Sequence, residues 1–404
     1  MFMSPKRIAS AVALGAFAVS SAAHASGYFV YEVSPSGTAQ AGANIAAGDE
    51  PATIFYNPAG LTRLEGVQAQ VSVTGYMPRG RYTSPEGQTT RTDLSLIPAP
   101  SLFASWKPVR WMAVGIGGYS AYGLGLAWPD KWAGNTLVQA AKVTSYTVQP
   151  SIAFEPIRGV SIGAGLDVVF GALDLSRGVK IGDETGMVRL GGQTTGIGGN
   201  VGVMFDPTSW LRLGAHYRTA IKLQVDHGHA SFDVPPALQK MLVNQGVSVG
   251  ITTPHIFGIG ARFKPLPQWQ IELDGLYIGW SSFDKLAFKF DNPLLSKSEA
   301  RNWKNSFQVR LGTEYNFEKA AVRGGFLFDQ NPIPDASLDP LLPDSNRLGF
   351  SLGGAYKWKK WLQPEASYMF VYGLPRTVDA ATNKFPGTYG AYAHVISVGV
   401  TSRF

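Results

Sequence analysis

The sequence predicts an all-β transmembrane protein, a 14-stranded antiparallel outer-membrane β-barrel with an N-terminal plug in its lumen. Many long segments alternate apolar and polar residues, a period of two that places successive side chains on opposite faces of a strand. They reach the roughly 9–11 residues that a tilted membrane strand needs, whereas strands in soluble sheets average about 5–6. The last segment, Tyr392–Phe404, carries apolar side chains on one face and ends on an aromatic, as expected for a lipid-facing strand.

The front of the chain, residues 1–25, has the features of a secretory signal peptide. Lys6 and Arg7 precede the apolar run Ile8–Val19, and Ala23-His24-Ala25 has the form of a cleavage site. The run is too short for a membrane-spanning helix, which needs about 20 apolar residues. We therefore expect an exported protein whose mature chain begins at Ser26.

The composition excludes several classes of site. The chain has no cysteine, so it has neither disulfides nor thiolate metal ligands. Its formal charge of +7 is spread along the alternating segments and forms no basic cluster of the kind that binds nucleic acid. A mean hydropathy of zero suits a barrel, whose lipid-facing and lumen-facing residues cancel in any window.

Alternating segments follow one another from about Gly66 to the end, separated by Pro, Gly, Asp and Asn. Their predicted starts number fourteen, an even number, as bacterial barrels require. The starts lie near Gly66, Pro100, Met112, Lys142, Val160, Gly199, Trp210, Thr253, Trp269, Trp303, Ala321, Arg347, Trp361 and Ala391. Short turns are expected at the periplasmic end and longer connections at the outer end, where they would capture a ligand. The predicted long connections are 81–98, 126–141, 176–198, 227–252, 288–302, 329–346 and 375–390.

One long connection, 227–252, contains a stretch with helical spacing. In Pro236–Val243 the apolar residues Leu238, Met241 and Leu242 would share one face of a short helix. That face either binds an apolar ligand or packs on its neighbours, and the sequence does not decide between the two.

Two groups of polar residues could suggest a metal, and we predict none. His227 and His229 lie on one strand face without an evident third ligand nearby. The acidic residues Asp335, Asp339 and Asp344 do not have the spacing of a calcium loop.

Residues 26–65 lack the alternation of the barrel segment 66–404 and are rich in Gly, Ala and Ser. They form either a periplasmic extension or a plug, and the apolar Ile54, Phe55 and Tyr56 favour a packed plug. The following Asn57-Pro58-Ala59-Gly60 predicts a turn, because Asn bonds nearby backbone, Pro fixes φ and Gly permits positive φ.

Several stretches together resemble the FadL/TodX family of outer-membrane transporters of hydrophobic compounds. They are Ser34–Gly42, Asp49–Leu61, Tyr122–Gly134, Asn302–Phe307, Phe328–Asp335 and Leu342–Arg347. Together with the strand pattern, they extend the resemblance over essentially the whole chain.

The resemblance implies passive uptake of long-chain fatty acids or aromatic hydrocarbons. Capture at the outer loops is followed by an inner pocket, a rearrangement of the plug (the family's hatch) and sideways exit where the third strand kinks. The implied hatch residues are Ile54, Phe55, Tyr56, Asn57, Pro58 and Gly60. The implied kink residues are Gly117, Gly118, Gly123 and Gly125 around Tyr122. Glycines at such positions interrupt a ladder or simply make room for large neighbours.

Lys304 matches a lysine that helps bind the carboxylate in the fatty-acid member of the family, so the resemblance implies a head-group ligand there. The alternative is an ordinary solvated lysine at a loop edge. Strand five, with Phe170–Arg177, has no obvious basic partner at the corresponding place. This departure favours neutral hydrocarbons or aromatics.

Two other functions are compatible with a barrel: an outer-membrane lipid hydrolase, and a structural or adhesive barrel without transport. A hydrolase needs a nucleophile and base pair, and none suggests itself among the six histidines. We expect a monomer in the bacterial outer membrane, with no enzyme activity and no cofactor. The expected partners are hydrophobic small molecules, outer-membrane lipid and, through Phe404, the barrel-assembly machinery.

Overall fold

Fourteen strands form one closed antiparallel sheet in the computed structural model, which describes residues 27–181, 184–236, 239 and 242–404. Strand 1 pairs with the last strand from Gln68 opposite Arg403 to Thr83 opposite Thr388, and this seam closes the barrel. The predicted signal peptide lies outside the described residues. No helix in the described ranges is long and apolar enough to cross a membrane.

The barrel strands are numbered here from 1 to 14, and several consist of two segments. Strands 1 to 5 are Val67–Thr83; Thr89–Arg91 with Ile97–Val109; Met112–Tyr119 with Gly123–Ala127; Ala140–Ile157; and Val160–Ile181. Strands 6 to 9 are Glu184–Thr208; Leu211–Arg218 with Lys222–Asp233; Gln245–Thr252 with Ile256–Leu266; and Trp269–Ile278 with Lys285–Phe290. Strands 10 to 14 are Lys297–Ala300 with Ser306–Asn316; Ala320–Asp329; Arg347–Tyr356; Leu362–Gly373 with Arg376–Val378; and Gly387–Arg403.

Helices are few and short. The α-helices are α1 (Pro35–Ala39) and α2 (Thr53–Tyr56), and the 3-10 helices are Pro58–Arg63, Trp280–Ser282, Pro293–Leu295 and Asp335–Ser337.

The two faces of strand 14 show why the sequence alternates. Ile396 and Val398 point outward and are exposed, whereas Ser397 and Thr401 point inward and are fully buried. The aromatic end is also outward: the Phe404 side chain is 73% exposed, while its backbone N–H donates to the Val67 carbonyl at 2.8 Å. An apolar outer face and a polar inner face are what a barrel in lipid requires.

The strand count is confirmed, and the main error in the strand prediction lies in strands 5 and 6. The predicted connection 176–198 is mostly strand, because strand 5 continues to Ile181 and strand 6 starts at Glu184 rather than at Gly199. The predicted connections 227–252 and 288–302 also contain strand. In strand 6 the glycine pairs Gly191-Gly192 and Gly198-Gly199 interrupt the apolar alternation that marks a strand.

Residues 27–65, called here the N-terminal segment, lie inside the barrel. Nearly every one of them is buried, including the three apolar residues at 54–56. The wall holds the segment through its backbone: the amides of Asn44 and Ile45 donate to the Asp274 carboxylate at 2.8 and 3.0 Å. The Ala46 amide donates to Glu272 at 2.6 Å. The lumen is therefore filled at this level.

Candidate functional site

An apolar cavity lies between the N-terminal segment, the outer parts of strands 3 to 10 and the connection between strands 11 and 12. It holds about 1070 Å³ of space free of atoms, including its open side. Its lining includes Tyr28, Tyr122, Leu124, Val143, Leu173, Leu175, Leu223, Val225, Val249, Ile251, Phe283, Phe288, Trp303, Ile333 and Leu342. A concave, mostly apolar surface of this size is typical of a site for a small hydrophobic ligand.

The cavity exists because the inner face of the wall changes character along the strands. In strand 5 the inward residue Asp167 is fully buried among polar groups, while Leu173, further out, lines the cavity. In strand 7 Arg218 gives way to Leu223 and Val225 in the same manner. Inward apolar residues without a polar neighbour leave a space that water solvates poorly.

Aromatic rings from three parts of the chain form a cluster at the cavity, and three of them, Tyr28, Phe283 and Trp303, belong to its lining. The Tyr28 and Trp280 rings are 4.7 Å apart, and those of Phe283 and Trp303 are 4.8 Å apart. Gly27 has φ +61, and a Cβ there would lie 2.6 Å from Trp280 and 2.7 Å from Trp303, so only glycine fits. Burial raises the pKa of Tyr28 well above its usual range, so its phenol is a neutral donor, to the Thr252 carbonyl at 3.3 Å.

The charged residues that line the cavity already neutralise one another. Arg301 pairs with Asp339, which also lines the cavity, and with Glu299 at 3.0 Å. Two donors in the lining have no partner among the described residues: Nε of Arg301 and Nε1 of Trp303. The cavity thus offers hydrogen bonds to a ligand but little uncompensated charge.

Lys304 lies outside the lining of the apolar cavity, and its role as a head-group ligand stays a prediction. Its side chain is exposed, and its backbone amide donates to the Pro332 carbonyl at 2.9 Å. The cation at the cavity is Arg301, three residues earlier, which the sequence reasoning missed. Arg301 and Lys304 lie three residues apart in a stretch without regular alternation. The sequence therefore gives no pattern that shows which of the two faces the cavity.

The predicted apolar helix face in the connection between strands 7 and 8 lies partly outside the described residues. Leu238 and Met241 lie outside the described residues, and Leu242 is buried but does not line the cavity. Its role in ligand capture stays a prediction.

Strand 3 is interrupted beside the cavity. Its pairing with strand 2 ends at Gly118, and from Gly123 onward it pairs only with strand 4. The N-terminal segment occupies the break: the Val30 amide donates to the Ala121 carbonyl and the Gly123 amide to the Tyr28 carbonyl, each at 2.8 Å. Backbone groups freed by the break are thus paired with the segment, as buried amides and carbonyls must be.

The glycines predicted to form the kink lie on either side of this break. The backbone φ angles of Gly117, Gly118, Gly123 and Gly125 are not in the positive region that favours glycine. Gly117 makes room for large neighbours, because a Cβ there would lie 2.9 Å from the Phe103 ring. Tyr122 is held by Ser145, whose hydroxyl accepts from the Tyr122 amide at 3.0 Å and donates to its carbonyl at 2.6 Å.

A second, open cavity of about 980 Å³ lies on the other side of the outer piece of strand 3. Its lining includes Ile97 at the start of the main segment of strand 2 and Gly125 and Leu126 of strand 3. Ala141 and Leu175 line both this cavity and the apolar one. The two spaces are therefore neighbours beside the outer piece of strand 3.

The predicted hatch residues form two consecutive short helices in the lumen. Helix α2 contains Ile54, Phe55 and Tyr56, and the Asn57 side chain caps the 3-10 helix that starts at Pro58 by accepting from the Ala59 amide at 3.2 Å. The expected turn is present in this form. The reason given for Gly60 was wrong: its φ is not positive, and it is required because a Cβ would lie 2.1 Å from Thr53 Oγ1.

A buried polar network joins α2 to the wall. Arg218 pairs with Asp167 at 2.6 Å and donates to the Phe55 carbonyl at 3.1 Å. Gln149 donates to the Ile54 carbonyl at 2.7 Å. Movement of α2 would leave these donors unpaired, so the network sets an energetic threshold for any rearrangement of the segment. In the described part of the chain, no three His, Asp or Glu side chains are grouped to hold a metal ion.

Comparison with known proteins gives a consistent result. The family described as outer membrane protein transport protein (OMPP1/FadL/TodX) matches residues 16–404. The long-chain fatty acid transport protein of Salmonella typhi is 24% identical over 93% of this chain and 94% of its own. A Pseudomonas aeruginosa FadL homologue has a similar structure, with a TM-score of 0.83 at 18% identity over 94% of this chain and 100% of its own. The Pseudomonas putida toluene transporter TodX has a TM-score of 0.74 at 15% identity over 92% of this chain and 98% of its own.

Proposed function

The chain belongs to the outer membrane protein transport family (OMPP1/FadL/TodX), and on that basis we propose that it is a passive channel for uncharged hydrophobic molecules. Aromatic or aliphatic hydrocarbons enter the apolar cavity from the outer end of the barrel. The N-terminal segment then shifts, and the cargo leaves sideways past the strand 3 break into the membrane.

The observation that carries the choice of cargo is the compensated charge of the cavity. A fatty-acid carboxylate needs a free cation, and Arg301 is already paired with Asp339 and Glu299. Displacing Asp339 leaves a partly buried carboxylate without its arginine, a cost that the new pair has to offset, whereas Glu299 would keep its pair with Lys297 at 2.6 Å. A hydrocarbon meets no such cost and gains about 25 cal/mol for each Å² of apolar surface removed from water.

The exit route is supported by the position of the two cavities. They share Ala141 of strand 4 and Leu175 of strand 5, and the outer piece of strand 3 contributes to the lining of both. The break in strand 3, with Tyr28 bonded into it, lies beside the apolar cavity. A cargo that crosses at this point avoids the polar lumen below. Lateral release then returns the apolar surface of the cargo to the membrane rather than to water.

Binding measurements on three proteins test the cargo. Toluene and a long-chain fatty acid are titrated against wild type, Arg301→Gln and Lys304→Ala in detergent. We expect toluene to bind all three within about twofold and the fatty acid to bind wild type more weakly than toluene. If the fatty acid binds wild type more tightly than toluene and Arg301→Gln alone loses this binding, the cargo is an acid and the proposal of a neutral cargo is wrong. The same loss in Lys304→Ala would restore the role implied by the resemblance.

A reversible cross-link tests whether the N-terminal segment must move. Phe29 and Tyr122 are antiparallel bridge partners, and such pairs have Cα atoms about 4.5–5.5 Å apart, within the range for a disulfide. The chain has no cysteine of its own, so Phe29→Cys/Tyr122→Cys gives one defined bond. We expect uptake by cells to stop when the bond is oxidised and to return after reduction. Equal uptake in both states contradicts a moving segment.

The two competing functions have distinct outcomes. Turnover of a labelled phospholipid by the purified protein would indicate a lipid hydrolase. A structural or adhesive barrel is indicated if cells that lack the protein take up toluene as fast as cells that carry it.

A further inference from the structure

Three arginines form an unpaired basic cluster on the outside of the barrel, away from both cavities described above. They are Arg79 and Arg81 of strand 1 and Arg91 of strand 2, and together they line an open cleft of about 650 Å³. Arg81 and Arg91 are cross-strand partners, and Arg79 is two residues from Arg81 on the same face. The cleft continues to Tyr372 and Tyr392 on the neighbouring strands 13 and 14.

The absence of a partner sets this cluster apart from the arginines in the lumen. Among the residues that the structure describes, the side chains of Arg79, Arg81 and Arg91 have no carboxylate within 4.0 Å and donate no hydrogen bond, and the buried Nε of Arg79 is itself unpaired. In contrast, Arg218 and Arg262 are each bound to carboxylates. Like charges placed directly opposite each other in a sheet destabilise it. An anion from outside the described residues would relieve this repulsion.

The height of the cluster on the wall identifies the source of that anion. Along strand 1 the outward Val71 and Val73 are exposed, and Arg79 follows eight residues beyond Val71. At about 3.3 Å per residue along a tilted strand, this places Arg79 near the outer edge of an apolar band about 25 Å tall. Tyr372 and Tyr392 are exposed at the same level, as aromatic residues are at a membrane interface.

We propose that this cleft binds the phosphate of a glycolipid in the outer leaflet, with lipid A as the specific occupant. Guanidinium groups form paired hydrogen bonds with phosphate oxygens. The acyl chains of the lipid then lie along the apolar outer face of strand 14, at Ile396 and Val398. The site lies at the seam between strands 1 and 14, so the bound lipid bridges the two strands that close the barrel.

Gly390 lies in the cleft, so a larger side chain there would fill the cleft without changing its charge. A Cβ at Gly390 would lie 3.7 Å from the nearest atom, Nη2 of Arg81, which is ordinary contact, and its φ is not positive. Gly390→Leu is therefore compatible with the strand while filling the space beside Arg81. This variant blocks the cleft while keeping all three arginines, so it distinguishes the effect of the space from the effect of the charge.

The test measures binding of three probes to the purified protein in detergent by native mass spectrometry. The probes are bisphosphorylated lipid A, the same lipid without phosphates, and inorganic phosphate. We expect wild type to bind the phosphorylated lipid at least about tenfold more tightly than the dephosphorylated one. Arg79→Gln/Arg81→Gln/Arg91→Gln and Gly390→Leu should each lose most of this preference.

The matched control removes three positive charges at the other end of the barrel. Arg110, Arg158 and Lys319 are exposed in the periplasmic turns, and their triple change to Gln should leave lipid binding within about twofold. Each variant is first shown to be folded by its migration on unheated gels. The proposal is overturned if the cleft triple variant binds as wild type does, if both triple variants lose binding equally, or if millimolar inorganic phosphate displaces the lipid.

Discussion

Arg218 and Asp167 form a pair that is almost completely buried between the wall and helix α2. Changing Arg218 to Gln leaves the Asp167 charge without its partner in a site closed to water. The expected loss is about 3–5 kcal/mol of folding free energy. It should appear as a lower thermal midpoint and as earlier protease cleavage of the N-terminal segment.

Two variants make this prediction specific. Arg403→Gln removes a half-buried arginine whose bond to Gln363 is 3.0 Å long, and it should cost less than about 1 kcal/mol. The double change Arg218→Gln/Asp167→Asn removes both charges and should recover part of the loss. Equal midpoints for Arg218→Gln and Arg403→Gln would show that the buried pair is not important for stability.

Glu50 makes the docking of the N-terminal segment sensitive to pH. This residue of the N-terminal segment, outside the membrane-spanning strands, accepts hydrogen bonds from Ser34 and Gln70, each at 2.7 Å. Burial and the nearby Glu365 raise the pKa of Glu50 to about 7, although Arg323 opposes the shift. Because the docked state favours the protonated form, docking is strongest below the ordinary pKa of a carboxyl and weakens as the pH rises through about 7.

The measurement is limited proteolysis of the purified protein at pH 5.5 and pH 8.5. Cleavage within residues 27–65 should be several-fold faster at the higher pH. Glu50→Gln carries no titratable group and should show much less pH dependence. If wild type and Glu50→Gln respond to pH alike, the titration belongs to another group.

At the scale of secondary-structure elements, strand 3 shows what the sequence can predict and what it cannot. The glycines near Tyr122 predicted a kink, and in the structure they flank the place where the pairing of strand 3 is interrupted. The sequence did not reveal that residues 28–30 fill the break, because hydrogen bonds between stretches about 90 residues apart leave no local pattern. For the same reason Arg301 was missed, since its importance comes from the distant Asp339.

Gly117 tests what the glycines of strand 3 contribute. A Cβ at Gly117 would lie 2.9 Å from the Phe103 ring and 3.1 Å from Ile54 of α2, so Gly117→Ala must displace one of them. We expect a loss of about 1–3 kcal/mol in folding free energy, as for other overpacked sites. Gly275→Ala is the matched control, because its only neighbour within 4 Å is Ile259 at 3.8 Å. A similar thermal midpoint for both variants would indicate that close packing is not why glycine is needed at 117.

At the scale of the whole molecule, the alternation of residues sets where the barrel sits in the membrane. The number of strands and their two faces could be predicted from the sequence, because every strand in lipid obeys the same pattern. The cavity could not, because its lining comes from strands 3 to 10, from the connection between strands 11 and 12 and from the N-terminal segment at once. The alternation of apolar and polar residues repeats in every strand, so it can be recognised in the sequence. The cavity depends instead on which strands become neighbours when the barrel closes.

The membrane position itself leads to a prediction on strand 14. Val398 is 52% exposed on the outward face between other apolar residues, so Val398→Arg should place a charge near the middle of the bilayer. Such substitutions cost about 2–4 kcal/mol, falling to about 0–1 near the interfaces. Glu86→Arg introduces the same side chain at an exposed hairpin beyond the strands and should change stability very little. Reversible unfolding in lipid vesicles measures both variants. If the two cost the same, the outward face at Val398 is not in contact with lipid.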